Sequence, residues 1–570
     1  MPALPAADPG GAEMKFTLAI ATASLLALGV VLFFRAPLHP SGSRWHGLVA
    51  VAAALPGRHL LRSLRERRRD RLEIETIPGD VYLGRGFEWT PAHARLLLDR
   101  DGADLHSLGR PAERNLFLPP DLLAQHILIL GTTGVGKTRM LELLVTQAIR
   151  RGDAAAVIDP KGDDGLLARV MEECARARRP FTLIAPPFPA SSSTYNPLSN
   201  YADVREVADR VAALLPSGGD AEPFRNFGWE LAGTVAAALA RLGRPVSLAA
   251  LRKYGIEDPW GLLREMNPGV KEIDKLAARG RALGFPEIDA LIGVASRPRD
   301  HSMKMASSLL PILAKLTMGA NRTLLSTDAF SWRDFDRGRG VAYFFLGSLL
   351  GADTASAVAK LALLDFQSHV GARYAYERNP APISLFVDEL ADVVTPGIAS
   401  LLAKSRGAGV RLVLAGQTLA DLEASMDSEP RARQVVANCN SVIQFRAQNQ
   451  DDAEVFAGLA GDRMLPMASE GESYEPAMLS SGFRDVDDFR AVFSRQRTWR
   501  PEPLVPPWAV LQLPVFHYFA RWDGCVRKGV VPLLPRAGLA DVEAIKDAAR
   551  RDLQRGVGAG GGVGLDPSAA

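Results

Sequence analysis

Cysteine is nearly missing from this chain, with three residues in 570: Cys174, Cys439 and Cys525. None stands in a CxxC pair or beside a histidine-rich stretch. Neither a disulfide framework nor a zinc site is therefore supported, and three reduced thiols in a cytosolic body are the plain expectation. An excess of one charge is missing too. Sixty-seven basic residues face 64 acidic ones, for a net +3. That excludes a polycation that coats nucleic acid with its whole surface, so any such contact must use a local patch or a pore. No internal repeat is present. What the chain does have is length, well beyond the roughly 100–200 residues of one domain, and 47% hydrophobic residues, enough for a large core.

Long charge-free runs are scarce, and the clearest is N-terminal. Phe16 to Phe34, FTLAIATASLLALGVVLFF, has 19 residues without a charge between Lys15 and Arg35. At about 1.5 Å per residue it just crosses a bilayer core. It exceeds the apolar stretch of a cleaved signal peptide, and no clear small-x-small cleavage site precedes Arg35, so a retained span is expected. A weaker stretch, Trp45 to Leu61, contains Pro56, Gly57, Arg58 and His59; seven arginines lie between Arg58 and Arg71. Arginine-rich flanks stay on the cytoplasmic side. A two-helix hairpin is the favoured reading, a single helix with an interfacial second segment the other. Both place the rest of the chain in the cytoplasm.

From Leu116 the pattern alternates between strand and helix. Short apolar runs at Ile127–Leu130, Ala154–Ile158, Phe181–Ile184, Val341–Phe345, Ser384–Val387, Arg411–Leu414 and Ser441–Phe445 suit parallel strands covered on both faces. The expected class is α/β with a mostly parallel sheet. The alternation stops between about 200 and 335, where Ala202–Leu215, Glu222–Gly243 and His301–Leu316 read as helices. Tyr82–Trp89 reads as a strand broken by glycines. The late segment VFHYFARWDGCVRKGVVPLL reads as a hairpin turning at Asp523-Gly524, and the tail from Gly556 as disordered. The expected division is a membrane anchor with a basic juxtamembrane segment (1–70), two parts of one ATPase domain (71–200 and 336–535), an inserted all-α domain (201–335) and a helical end with a Gly-rich tail (536–570).

The chemistry begins at HILILGTTGVGKTRML. Gly131, Thr132, Thr133, Gly134, Val135, Gly136, Lys137 and Thr138 match GxxxxGK[ST], after an apolar strand and before a helix. Glycines let the backbone wrap close to phosphates and aim N–H groups inward; Lys137 reaches the β- and γ-phosphates, and Thr138 ligates magnesium. A site that binds nucleotide without hydrolysing it would lack a second motif. That motif is present: ISLFVDELADVV is an apolar strand ending in Asp388-Glu389, suited to hold magnesium and to polarise water respectively. The bland alternative is an acidic pair capping the next helix. In RLVLAGQTLADLEA a strand ends at Gly416-Gln417-Thr418, where Gln417 can touch the γ-phosphate or simply belong to a capped loop. Arg406, in AKSRGAGVR, suits either an arginine finger for a neighbour's site or a solvated or DNA-bound arginine. Asp159 and Lys161 of VIDPKGDD fall at the same sheet edge; alone they are just a turn. About 250 residues separate Lys137 from Asp388, far more than a compact core needs. The helical region fills that gap.

Taken with TYNPL (Thr194–Leu198), YLGRGFEWTPAHARLL, SRGAGVRLVLAGQTLADLEA and VVANCNSVIQFR, these motifs resemble the type IV coupling proteins of the TraD/TraG family, most closely the coupling factor of integrative conjugative elements, over roughly residues 15–535. The resemblance implies a RecA-like P-loop motor with an inserted all-α domain and an N-terminal membrane anchor in the bacterial inner membrane, its motor in the cytoplasm. It implies ATP and Mg2+ as cofactors and a homo-hexameric ring that passes DNA, largely independent of sequence, from a relaxase in its relaxosome to a type IV secretion channel. On this chain, Lys137, Thr138, Asp388 and Glu389 would bind and hydrolyse ATP, Gln417 sense it and Arg406 act in trans. The tail departs from relatives that dock through a long acidic C-terminus. Rival expectations are an FtsK-like DNA translocase, a secretion ATPase that moves protein without DNA, and a membrane scaffold with nucleotide-gated docking. Against the first, fewer than 40 residues follow the last expected strand, too few for a further DNA-reading domain.

Overall fold

The computed structural model describes residues 79–99, 113–216, 219–476 and 489–559. Both N-terminal apolar stretches lie outside these residues; among the described ones no helix is long and apolar enough to cross a membrane. The strands are β1 (Val81–Trp89), β2 (Arg114–Leu118), β3 (Ile127–Leu130), β4 (Ala154–Asp159), β5 (Phe181–Ile184), β6 (Val341–Phe345), β7 (Ile383–Val387), β8 (Val410–Gly416), β9 (Ser441–Gln444), β10 (Asp462–Pro476), β11 (Phe489–Pro503), β12 (His517–Trp522) and β13 (Cys525–Val530). Eleven of them form one sheet in the order β2-β1-β13-β12-β9-β3-β8-β7-β4-β6-β5.

The seven expected apolar runs are the seven strands from β9 to β5, and every pairing among them is parallel. Successive residues of one strand feed opposite cores: Ile127 and Ile129 join Met140 and Leu144 on one face, Leu128 and Leu130 join Leu385 and Leu414 on the other. A strand buried on both faces has no use for polar alternation, which is why these segments read as unbroken apolar runs. The remaining four strands extend the sheet antiparallel. Asp523 and Gly524 both have positive φ, +53° and +68°, as a tight hairpin turn between β12 and β13 requires. β1 is one continuous strand, with a register shift between Tyr82 and Gly84 where a break was expected.

Between β5 and β6 every described helix or strand is helical; the backbone joins there only in the isolated pairing of Tyr195 with Phe330. The 20-residue helix Glu222–Arg241 starts with Pro223 in its first turn, where a missing N–H costs nothing. The expected helix His301–Leu316 is two, Arg299–Met305 and Leu309–Thr317. Pro311 is the reason: it can sit in the first turn of a new helix but not inside a continuous one. The helix Ala540–Ala559 runs into the first residues of the glycine-rich tail, further than expected. The ribbon of β10 and β11, paired over 15 residues each, was not expected from the sequence at all.

Candidate nucleotide site

β3 delivers the chain into the glycine loop, and the helix Lys137–Arg151 leaves it. Gly131 and Gly136 have φ of +151° and +122°. A Cβ at Gly131 would stand 2.6 Å from Phe445 Cβ, and one at Gly136 2.9 Å from the Phe516 ring. Both glycines are thus demanded twice, by backbone conformation and by space. Distant segments brace the loop. The Phe516 N–H donates to Val135 O at 2.8 Å and the Thr132 N–H to Arg446 O at 3.1 Å. The Thr132 hydroxyl donates to Gln448 Oε1 at 3.0 Å. Lys137 Nζ donates to Gly131 O at 2.6 Å and to Thr132 O at 3.1 Å, closing the loop on itself. No side chain caps the following helix, so its N-terminal N–H groups stay available to an anion. Thr138, half-buried, occupies the first turn beside Lys137.

Along the carboxyl edge of the sheet, β3, β8, β7 and β4 follow one another. They end in the loop, Gln417, Asp388-Glu389 and Asp159 respectively. The acidic pair is therefore one strand removed from the loop, and Gln417 fills the interval. Its Nε2 donates to both Glu389 carboxylate oxygens, at 3.1 and 3.0 Å, while its Oε1 accepts from the Thr133 hydroxyl at 3.2 Å. One amide side chain thus ties the glycine loop to the acidic strand end. Glu389 itself has φ of +53°, a conformation that non-glycine residues keep where surrounding structure imposes it.

Asp388 is 3% exposed, and its N–H donates to Ile158 O at 3.0 Å. Burial, then the neighbouring charges of Asp159 and Glu389, push its carboxyl up to about 7, with Lys137 opposing. Burial likewise lowers the proton affinity of Lys137, against Glu389 and Asp388. The pocket is short of positive charge, and a divalent cation would reverse the shift at Asp388. The donor set fits such an ion: a carboxylate at a strand end and a hydroxyl in the first turn of the helix after the loop. Asp159, read from the sequence as part of a turn, is fully buried, and burial raises its carboxyl.

Arg406 is elsewhere. It is exposed in the short turn Ser405–Ala408 that precedes β8, so the whole strand separates it from Gln417. Seven residues of strand span roughly 20 Å. The structure thus brings together Lys137, Thr133, Asp388, Glu389 and Gln417, and leaves Arg406 at the opposite edge. The bracing residues Phe445, Gln448 and Phe516 lie more than 300 positions from the loop and were missed. No local pattern marks them.

Comparison with known proteins follows the same lines. A family model described as the type IV secretion-system coupling protein DNA-binding domain matches residues 114–528. The bacterial conjugative coupling protein TrwBdeltaN70, in an unbound monoclinic form, superposes with a TM-score of 0.52 at 18% identity, covering 81% of this chain and 98% of that one. Plasmid coupling protein TrwB in complex with the non-hydrolysable ATP analogue ADPNP gives 0.50 at 18% identity, over 80% and 97%. Its complex with the GTP analogue GDPNP gives 0.50 at 18%, over 81% and 97%. No match is found among curated proteins.

Proposed function

This chain belongs to the type IV secretion-system coupling proteins, and from that premise we propose that it is an ATP-hydrolysing motor driving DNA from a relaxosome into a conjugative secretion channel. The observation that carries the reading is the single side chain of Gln417, bonded at once to Thr133 of the glycine loop and to Glu389. A terminal phosphate arriving between them competes for those bonds. Glu389 is then released to polarise the attacking water, and loss of the phosphate restores the link. Lys137 swings from the loop carbonyls to the phosphates. Thr138 and Asp388 would hold Mg2+, which would supply positive charge to the phosphates. That a TrwB protein holds both ADPNP and GDPNP supports a site that reads phosphates more than bases.

In this reading the segment between β5 and β6 is a separate all-α domain facing the relaxase, and residues 1–70 anchor the chain in the inner membrane. The motors assemble as a homo-hexameric ring with nucleotide between subunits, Arg406 reaching a neighbour's phosphates, and DNA is gripped mainly through its backbone. The test pairs mating efficiency with phosphate release by the purified chain, with and without DNA. Lys137→Ala is expected to abolish both. Normal transfer by that variant ends the motor reading, and hydrolysis indifferent to DNA favours a motor for protein cargo.

A further inference from the structure

The turn after β4, Asp159-Pro160-Lys161-Gly162-Asp163, is fixed far more tightly than a surface turn requires. The Gly162 N–H donates to Asp159 Oδ1 at 2.7 Å and the Asp163 N–H to Oδ2 at 2.6 Å. The Tyr343 hydroxyl donates to the same Oδ2 at 2.6 Å. The Ser348 N–H holds Pro160 O at 2.7 Å. Gly162 has φ of +83°, and a Cβ there would meet the Phe345 ring at 2.7 Å. Everything in the turn is locked by the fold except Lys161, which is exposed and makes no hydrogen bond or ion pair with the described residues.

Its position is also fixed. β4 lies beside β7 with Ile158 opposite Val387, so the turn emerges next to Asp388 and Glu389, on the side away from the glycine loop. Its charge is felt by Lys137 across the site. Three carboxylates, Asp159, Asp388 and Glu389, crowd this edge. Adding a triphosphate brings more negative charge than Lys137 and one Mg2+ offset.

We propose that Lys161 is a second phosphate-binding cation, engaging the terminal phosphate of a nucleoside triphosphate from the β4 side. This rests on the reading that the loop of this chain binds and hydrolyses ATP. A diphosphate lacks that terminal phosphate and, held at the loop and the following helix, would leave Lys161 unengaged. Lys161 therefore distinguishes the two nucleotides, whereas Lys137 serves both.

The full-length chain, purified in detergent, is titrated with Mg·ADP and with Mg·ADPNP, and its ATP turnover is measured. Lys161→Met keeps the aliphatic stem and removes the charge. It is expected to bind Mg·ADP within about twofold of the parent but Mg·ADPNP on the order of tenfold more weakly, with kcat reduced by a similar factor. Its melting temperature should be unchanged. Lys161→Arg should recover most of the loss. Parent-like ADPNP binding and turnover in Lys161→Met overturn the proposal. So does equal weakening of both nucleotides, which marks a damaged turn. Lys137→Ala separates the levels. If it still hydrolyses ATP, the reading beneath fails and the proposal with it; if it is dead while Lys161→Met is unimpaired, only the role of Lys161 falls.

Discussion

Glu389 holds a backbone conformation that costs about 1 kcal/mol or more for a side chain of its type, and both its carboxylate oxygens are tied to Gln417. If Glu389 is the water-polarising base proposed above, it is held inactive in this way until something removes its partner. Two substitutions separate storage from chemistry. Glu389→Gln removes the base and should lower kcat by at least about a hundredfold while Mg·ADPNP binding persists. Gln417→Ala removes the link and, with it, the amide placed to contact the terminal phosphate. Its kcat should fall less, by about tenfold, and fluorescence titration should show nucleotide affinity little changed. Equal losses in both variants contradict the division of roles. A second residue-scale prediction concerns Asp365. It accepts from the Tyr195 hydroxyl at 2.8 Å and from Asn200 Nδ2 at 3.0 Å, with Arg210 at 3.4 Å. Burial outweighs these partners and pushes its carboxyl up to about 6. A carboxyl raised in the folded state favours folding at low pH, and that advantage is lost as pH rises through the folded value. Stability relative to Asp365→Asn should therefore decline from pH 4 to pH 7, by on the order of 2 kcal/mol. Denaturant melts of both proteins across that range measure it; a difference that does not change with pH refutes the assignment.

At the scale of elements, the neck of the helical segment between β5 and β6 is a buried aromatic cluster. Tyr195 and Phe330 pair where the chain enters and leaves. Around them Trp332 stacks on Phe344 with ring centroids 5.6 Å apart, and its edge contacts with Phe366 and Phe330 are at 4.8 and 5.2 Å. Trp332 is fully buried, so Trp332→Ala should cost about 3–5 kcal/mol, seen as a large drop in melting temperature. Trp332→Phe, which refills most of the space, should lose much less. This cluster joins residues of the neck to β6 and to the long helix Ser348–Tyr376, and no stretch of sequence announces such a joint. The parallel strands were legible because burial on both faces leaves a local signature in each one. The ribbon was not, because the sequences of β10 and β11, such as ASEGESYEP, mix charge, glycine and proline without a clean period of two. Asp388 and Glu389 could be read from the strand that leads into them. Asp159 could not, since the Tyr343 hydroxyl that holds it comes from the neighbouring strand, 184 positions away. The clasp of the glycine loop by Phe445, Gln448 and Phe516 is tertiary throughout.

At the scale of the molecule, the parallel strands have a carboxyl edge and an amino edge, and the candidate site residues are divided between them. Lys137, Asp388, Glu389 and Gln417 occupy the carboxyl edge. Arg406 is exposed at the amino edge, the length of β8 away. No side chain spans roughly 20 Å, so if Arg406 serves phosphoryl transfer, it serves another subunit's nucleotide. In a closed ring of identical subunits each interface is head-to-tail, so one copy supplies the loop and its neighbour the arginine. That arrangement predicts complementation. Copies carrying Lys137→Ala cannot hold the phosphates but still offer Arg406. Copies carrying Arg406→Ala bind nucleotide but offer nothing to their neighbour. Each alone should be inactive. Co-assembled in equal amounts, a loop-competent copy meets an arginine-competent neighbour at about one interface in four, so turnover should return to no more than about a quarter of the parent rate. The measurement is phosphate release from the mixture after dissociation and reassembly. A mixture as inactive as its parts would mean that Arg406 acts only where it sits. Full activity of Arg406→Ala by itself would remove the residue from the reaction and leave it to solvent or to the DNA backbone.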